Sequence, residues 1–423
     1  MPDRELSESD PVIVPAPLVL EQLPVAARRL RVAMVSETYP PEINGVAMTI
    51  GRTVAALQAR DHQVQLIRPR QAHEPAAVRD DNLEQVLRPG IPIPNYAGLN
   101  MGLPAKRLLT RLWTLRRPDL VHIATEGPLG WSAMGAARKL DIPVLAGFHT
   151  NFHRYSGHYG LGWLKKPIHA YLRKFHNQAR MTLVPSRDLR DELSAAGYRN
   201  VVVLARGVDT QLFSPARRDP ALRRAWGLGE HGLAVIHVGR VAPEKNLPLL
   251  VESFSAIARL RPDARLILVG DGPAIDSLRR AHPSFVYCGP RTGEDLARHY
   301  ASADLFLFPS LTETFGNVVL EAMASGLAVL AFDYAAAAEH IRDEDNGLKA
   351  PPDDDMGFLV QASWLARNPG SIAGFGQRAR ATTLTLSWDG IFERLEGYYQ
   401  QVVREREAGQ EITLRKLGLN PET

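Results

Sequence analysis

Twice along the chain a short apolar strand runs into a turn carrying Gly or Pro, then an amphipathic helix, then another apolar strand. This grammar is the signature of parallel βαβ units. Right-handed crossovers gather the loops of such units at the carboxyl ends of their strands. The first half is predicted to hold strands at 31–37, 63–67, 119–124, 143–148, 181–184 and 201–204, and the second at 234–238, 265–269, 285–287, 305–309 and 328–332. Between the halves 205–215 (ARGVDTQLFSP) is irregular, with Gly207 and Pro215 as punctuation, and reads as a linker. The expected fold is α/β, with similar domains at 30–205 and 206–387 whose loop-bearing edges face one another across a cleft. Residues 1–29 read as a flexible extension, and 388–423 as a helix and tail that packs back across the domains.

A length of 423 residues buries two substantial cores, and 45% hydrophobic with 23% charged content is ordinary globular usage. The single Cys288 leaves no internal disulfide framework and no four-cysteine metal site, in keeping with a reducing compartment. No run of 18 apolar residues occurs, and the acidic N-terminus (Asp3, Glu5, Glu8, Asp10) is unlike a secretory signal, so the expectation is a cytoplasmic protein, either soluble or attached to a membrane only at its surface. Charge is concentrated: 142–187 holds seven cations and no acid, against a net charge of +4 for the whole chain. One basic patch argues for a localised anionic partner, a lipid surface or a phosphorylated ligand, and against a general nucleic-acid binder.

Two stretches carry chemistry. In VGRVAPEKN (238–246) a strand ends at Val238, Gly239 permits a sharp turn, and Arg240 and Lys245 bracket a loop before a helix capped by Asn246, with Pro248 in its first turn. Arg grips phosphate oxygens in a fork and Lys adds a compact charge, a pair suited to a departing diphosphate. A solvated loop pair is the alternative. In SLTETFGNVVLEAMASG (310–326) Gly316 stands where a helix starts, its N-terminal N–H groups facing the cleft as an anion site, and Gly326 stops it. Glu313 precedes that helix and Glu321 lies on its second turn. Carboxylates beside a phosphate site make sense as acceptors for sugar and ribose hydroxyls; a surface or capping role for Glu321 is the alternative. His149 ends the strand 143–148, where a neutral imidazole reaches the cleft or serves only structure.

Arg240 with Lys245, followed by ETFGNVVLE in the pattern E-x7-E, resembles the retaining, two-domain nucleotide-sugar glycosyltransferases of the GT-B type, family 4 (group 1). That family includes bacterial GDP-mannose-dependent α-mannosyltransferases and sucrose-phosphate synthases. The likeness runs from Leu30 to about Tyr399 and takes in ETYPPEINGV, FHTN, the GDGP turn at 270–273 and NGL at 346–348. It implies two Rossmann-like domains, no metal or other cofactor, and a nucleotide diphosphate sugar as donor, GDP-mannose or a UDP-sugar. Residue by residue it implies that Gly45 approaches the donor phosphate or reacting sugar. Arg240 and Lys245 hold the diphosphate, and Gly316, Asn317 and Val318 cap it. Glu313 takes the sugar hydroxyls, Glu321 the ribose, and Asp271 and Gly272 line base and ribose. His149 stands beside the reacting sugar. Retention, with the leaving phosphate assisting the acceptor hydroxyl, is preferred because no independent acid and base pair is present.

One departure from the family is AAAAEH at 335–340, where paired glycines and a Glu are usual; the alanine methyls are expected to narrow the approach, and Glu339 is a possible donor contact. Asp353, Asp354 and Asp355 read as a solvated loop, not a metal site. The segments 103–117 and 153–176 mix cations (Lys106, Arg107, Arg111, Lys165, Lys166, Arg173, Lys174) with Leu108, Trp113, Trp163, Tyr171 and Phe175, a mixture suited to an anionic leaflet and a lipid-linked acceptor. Solvated helix faces over a core are the alternative. A dinucleotide-dependent oxidoreductase lacks its G-x-G-x-x-G fingerprint, since GDGP follows the wrong strand and Pro273 blocks close helix packing. A non-catalytic sugar-nucleotide or membrane-binding module remains a third reading.

Overall fold

A computed structural model describes residues 28–42, 44–71, 79–92, 100–149, 165–229, 231–310, 312–313 and 315–416. The first eight-stranded sheet runs in the order Val201–Val203, Met181–Val184, Val144–Gly147, Leu120–Ile123, Arg31–Val35, Gln63–Pro69, Leu83–Arg88, Arg79–Asp80. All neighbours are parallel except the last pair. The second, six-stranded sheet is parallel throughout, in the order Val286–Gly289, Arg265–Val269, Ala234–Val238, Leu305–Phe308, Ala328–Phe332, Leu348–Ala350. Central strands such as Ala234–Val238 and Val144–Gly147 are buried along their whole length, as parallel strands covered by helices on both faces must be.

Strand order fixes where ligands bind. In each sheet the domain's first strand lies inside, with its successor on one side and a later strand on the other. The chain therefore leaves Arg31–Val35 and Leu120–Ile123 in opposite directions, and likewise Ala234–Val238 and Leu305–Phe308, opening a crevice at each carboxyl edge. The loops after Val35, Val238 and Phe308 carry Gly45, the Arg240–Lys245 pair and Glu313.

The helix Trp388–Lys416 returns to the first domain. Its Leu395, Tyr399, Val402 and Val403 are buried with Val32, Met34, Ile50 and Leu145, and the Tyr399 hydroxyl lies 2.6 Å from His122 Nδ1. Tyr398 also donates to the Val203 carbonyl at 3.1 Å. The last helix thus fastens the two ends of the chain into one core.

The strands Arg79–Asp80, Leu83–Arg88 and Leu348–Ala350, and the hairpin of Gly90–Pro92 with Asn100–Gly102, go beyond the sequence reading. They are short, and Leu83–Arg88 is only half-buried, so its polar residues hide the apolar run that marks a central strand. Asn246 also behaves differently from expectation. Its side chain makes no capping hydrogen bond; it enters the helix Leu247–Leu260 through a left-handed backbone (φ 51°) after the one-turn 3₁₀ helix Pro243–Lys245. Asp354 caps the helix Asp355–Arg367, accepting from Gly357 N–H at 2.8 Å, which gives the middle residue of the triple-Asp run a structural task.

Candidate active site

The floor of the second-domain crevice is backbone against backbone. A methyl group on Gly270 would fall 1.9 Å from the Gly239 carbonyl oxygen, and one on Gly272 2.4 Å from that of Val241. Only glycine fits at either position. Val241 N–H donates to the Asp271 carbonyl at 2.9 Å and Ala274 N–H to the Val241 carbonyl at 3.0 Å, so the GDGP turn is docked onto the Arg240 loop. Asp271 is exposed, its Oδ1 accepting from Gly272 N–H at 2.8 Å.

Above this floor Lys245 is buried, with 9% of its surface exposed, and its Nζ is ion-paired to Glu313 Oε1. The same carboxylate oxygen accepts from Ser310 Oγ at 3.0 Å, while the Glu313 carbonyl accepts from the Tyr334 hydroxyl at 2.8 Å. Arg240 pairs with Glu244 at 3.2 Å, and the Glu244 carbonyl accepts from Thr312 Oγ1 at 3.0 Å, tying the two loops together. Gly316 takes φ 85° and opens the helix Asn317–Ala324, leaving the N–H groups of Asn317 and Val318 in the unpaired first turn. Across the cleft, a methyl group built on Gly45 would stand 3.9 Å from Asn317 Nδ2. Gly45 opens the helix Gly45–Ala59, itself capped by Asn44 Oδ1 accepting from Ala47 N–H at 2.8 Å. Two helix N-termini therefore meet beside two cations. Each concentrates partial positive charge on free N–H groups, so together they form a cradle for an anion.

Glu321 sits one turn deeper. Its Oε2 accepts from the Tyr300 hydroxyl at 3.1 Å. Burial pushes its carboxyl up to about 7, against the opposing pull of Tyr300 and of Arg52 from the first domain. A group titrating near neutrality in a cleft is a functional-site signature.

His149 joins this cradle only indirectly, through Arg206 and Thr49 to the Gly45 carbonyl. Its Nδ1 is 2.9 Å from Arg206 Nη2, and its buried Nε2 turns back over Gly147, where a methyl group would be 2.3 Å away. Burial, then Arg206, hold the imidazole well below its ordinary range. The ring borders a pocket shared with Thr49, Thr53, His122, Arg206 and Trp388, between the first sheet, the linker and the returning helix. Sequence reading passed over Arg206. The signal was one cation in the otherwise apolar run VVVLARGV, on a segment taken only as a connection.

Glu339 is an interdomain contact: Oε1 accepts from the Arg187 N–H at 2.5 Å, and Oε2 lies 3.7 Å from its guanidinium. Ala335, at the position where glycine is usual, is buried in the left-handed region at φ 52°.

The basic segments need a correction. Trp113 and Phe175, read as interfacial aromatics, are fully buried in the core, and Trp113 Nε1 donates to Gln65 at 2.9 Å. Lys166, Arg173 and Lys174 are exposed, as is Tyr171. Leu103, Leu108 and Leu115 within the segment 103–117, and Ile91 and Met101 just before it, are exposed. Trp163 and the side chain of Lys165 lie outside the described residues, of which no helix is long and apolar enough to cross a membrane.

Comparison with known proteins accords with this geometry. Residues 43–212 match Glycosyltransferase Family 4 and residues 232–368 match Glycosyl transferases group 1. A GDP-mannose-dependent alpha-mannosyltransferase of Mycobacterium tuberculosis is 33% identical over 378 residues, 88% of this chain and 97% of that protein. An alpha-monoglucosyldiacylglycerol synthase of Acholeplasma laidlawii is 26% identical over 88% of this chain and 98% of its own length. Among solved structures, sucrose-phosphate synthase from Thermosynechococcus elongatus superposes with a TM-score of 0.72 at 19% identity, covering 89% of this chain and all of that one. With both halves matched and a third of the residues shared over nearly the full length of the mycobacterial protein, the chain belongs to the two-domain glycosyltransferases of family 4.

Proposed function

We propose that the protein transfers mannose from GDP-mannose to a hydroxyl of a lipid-linked acceptor, with retention at the anomeric carbon and without a metal ion. One observation carries this: Lys245 and Arg240 meet the N-terminus of Asn317–Ala324 opposite Gly45, with Glu313 already ion-paired to Lys245. When a diphosphate enters, its charge competes for Lys245, and the released Glu313 carboxylate accepts hydroxyls of the sugar. The cations stabilise the leaving diphosphate, which is the task a metal performs elsewhere. Glu321 receives the ribose, and Asp271 and Gly272 border the base.

Retention is supported by what the side chains are engaged in. On this reading Glu313 is taken up by the donor sugar hydroxyls once the diphosphate has displaced it from Lys245, and His149 Nδ1 already accepts from Arg206, which leaves the departing phosphate oxygen to take the acceptor proton on the same face. Mannose as the sugar is supported by the mycobacterial relative. A lipid acceptor is supported by the diacylglycerol-linked product in the name of the Acholeplasma relative, and by exposed Lys166, Arg173, Lys174 and Leu108 on helices that both pack on Pro128–Lys139. The test is incubation of the full chain with labelled GDP-mannose, UDP-glucose and UDP-mannose and a membrane lipid extract, with EDTA present. Transfer from GDP-mannose into the lipid fraction as an α-linkage is expected. No turnover with any donor, or a β-linked product, defeats the reading.

A further inference from the structure

Arg206 is a buried guanidinium, 7% exposed, on the linker between the domains, and its hydrogen-bond partners among the described residues are neutral. Its Nη2 meets His149 Nδ1 at 2.9 Å, and its Nη1 donates to Thr49 Oγ1. The Thr49 hydroxyl in turn donates to the Gly45 carbonyl at 2.7 Å, and Thr53 Oγ1 donates to the Thr49 carbonyl at 2.8 Å. Every proton in this chain is determined. A guanidinium has five N–H donors and no acceptor, so the His149 nitrogen facing it must offer a lone pair. The imidazole proton is then on Nε2, and the Thr49 hydroxyl, having accepted from Arg206, is left to donate to Gly45.

We propose that Arg206 is a positioning residue for the transfer reaction. It locks His149 as the neutral Nε2–H tautomer and, through Thr49, braces the helix start that carries Gly45. The Nε2–H is buried beside Gly147 and has no partner among the described residues, an unpaired donor at the edge of the pocket that a ligand oxygen lone pair, such as that of a sugar hydroxyl, would satisfy. Nothing in the linker's role as a connection requires such a residue. Desolvating a cation against neutral partners opposes folding, and its placement between two residues of the cleft wall gives the cost a purpose. The inference rests on the transferase reading only for what the Nε2–H meets; the tautomer stands by itself.

Other titratable groups face the ring from each packed element: His122 from Leu120–Ile123, whose Nδ1 is engaged by Tyr399, and His176 from Lys165–His176, bound to Glu126 at 3.1 Å. Arg206 adds a fixed positive charge to these, so removing it lets the His149 proton affinity rise.

The experiment is a long-range ¹H–¹⁵N correlation spectrum of the full chain labelled at histidine, with the His149 ring assigned by its loss in His149→Gln. In the wild type the Nδ1 resonance is expected to be pyridine-like and the Nε2 pyrrole-like, and to remain so as pH is lowered through the ordinary imidazole range. In Arg206→Met the two forms mix and titration moves up toward that range. In the transfer assay Arg206→Met loses roughly 10- to 100-fold in kcat, the range for removing a group that orients a functional imidazole, with donor KM changed less than threefold. Arg206→Lys, which keeps the charge and one donor, recovers part of the loss. A wild-type spectrum with the proton on Nδ1 overturns the proposal even if Arg206→Met does not fold, as does wild-type kcat in a folded Arg206→Met. A second variant, Thr49→Val, cuts only the branch to Gly45: it should raise donor KM while leaving the His149 tautomer unchanged. A wild-type chain with the expected spectrum but no transfer from any sugar nucleotide would defeat the proposed function and leave the tautomer assignment standing.

Discussion

On the second-domain wall of the cleft, Arg240 and Lys245 stand against Glu244 and Glu313 in two crossed ion pairs; on the first-domain wall, around Gly45 and His149, one guanidinium meets a hydroxyl and a neutral imidazole. On the proposed function, the difference follows from what each wall would hold. A diphosphate leaving group gathers charge as the sugar bond breaks, and only fixed positive groups lower the energy of that state. Before the donor arrives those cations need counter-charges of their own, which the glutamates supply. On the same proposal the opposite wall meets hydroxyls, whose recognition depends on which nitrogen carries a proton and which carbonyl is free.

The largest expected effect breaks the charged wall. Lys245→Ala removes the ammonium and leaves the Glu313 carboxylate, among the described residues, with Ser310, so kcat should fall by roughly 10²- to 10³-fold, about 3 to 4 kcal/mol of transition-state stabilisation. Steady-state transfer of labelled sugar reads this, and wild-type turnover would end the assignment. Glu313→Ala sharpens the contrast between anion and sugar on the same wall. Loss of a charge-assisted hydrogen bond to a sugar hydroxyl costs about 1.5 to 3 kcal/mol, so transfer should drop about 10- to 100-fold while free nucleotide diphosphate binds nearly as before. Equal weakening of the free nucleotide, measured by calorimetry, would place the carboxylate on the wrong ligand.

Legibility in the sequence divides along the same line. Arg240, Lys245, Glu313 and Gly316 fall within two short stretches that announce themselves by charge and by glycine at a strand end, and the fold brings them together. The central strands were legible for a related reason, since residues buried on both faces form unbroken apolar runs such as AVLAF and LFLF. Leu83–Arg88 was not, because half-buried residues lose that pattern, nor was the edge strand Leu348–Ala350, whose three residues are too short a run to stand out. Arg206 was hidden because its importance lies in partners 157 and 57 residues away, Thr49 and His149, which no local period encodes. Trp113 and Phe175 misled in the opposite sense: aromatics beside cations look interfacial, yet an amphipathic helix turns its aromatics inward and its cations out.

Glu321 tests the two walls together, since Arg52 reaches it from the first domain. Its carboxyl is raised from 4.5 to about 7, so the folded chain binds a proton there that the unfolded chain has already lost. Stability should therefore decline as pH rises from about 4.5 to about 7, and Glu321→Gln should flatten this segment of a thermal-melt series against pH. The ionised form is the better acceptor for a ribose, so donor affinity should instead improve over the upper part of that range. Donor affinity unchanged in Glu321→Gln and flat from pH 6 to pH 8 (roughly one unit either side of the midpoint) would remove Glu321 from the ribose site.

The smallest effect concerns the run of alanines. Ala335 holds φ 52° while the N–H of Ala336 donates to the Phe315 carbonyl at 2.8 Å, so the turn behind the Glu313 loop keeps a backbone shape that glycine adopts without strain. An L-residue there carries roughly 1 kcal/mol of steric cost, which Ala335→Gly would relieve, less the greater entropy of glycine in the unfolded chain. A gain of up to about 1 kcal/mol in denaturant unfolding is expected, with transfer activity little changed, because the backbone geometry is already in place. If the glycine variant instead changes which sugar is transferred, the Ala335 methyl itself narrows the donor wall, and the departure at 335–338 is a selectivity feature carried by side-chain volume.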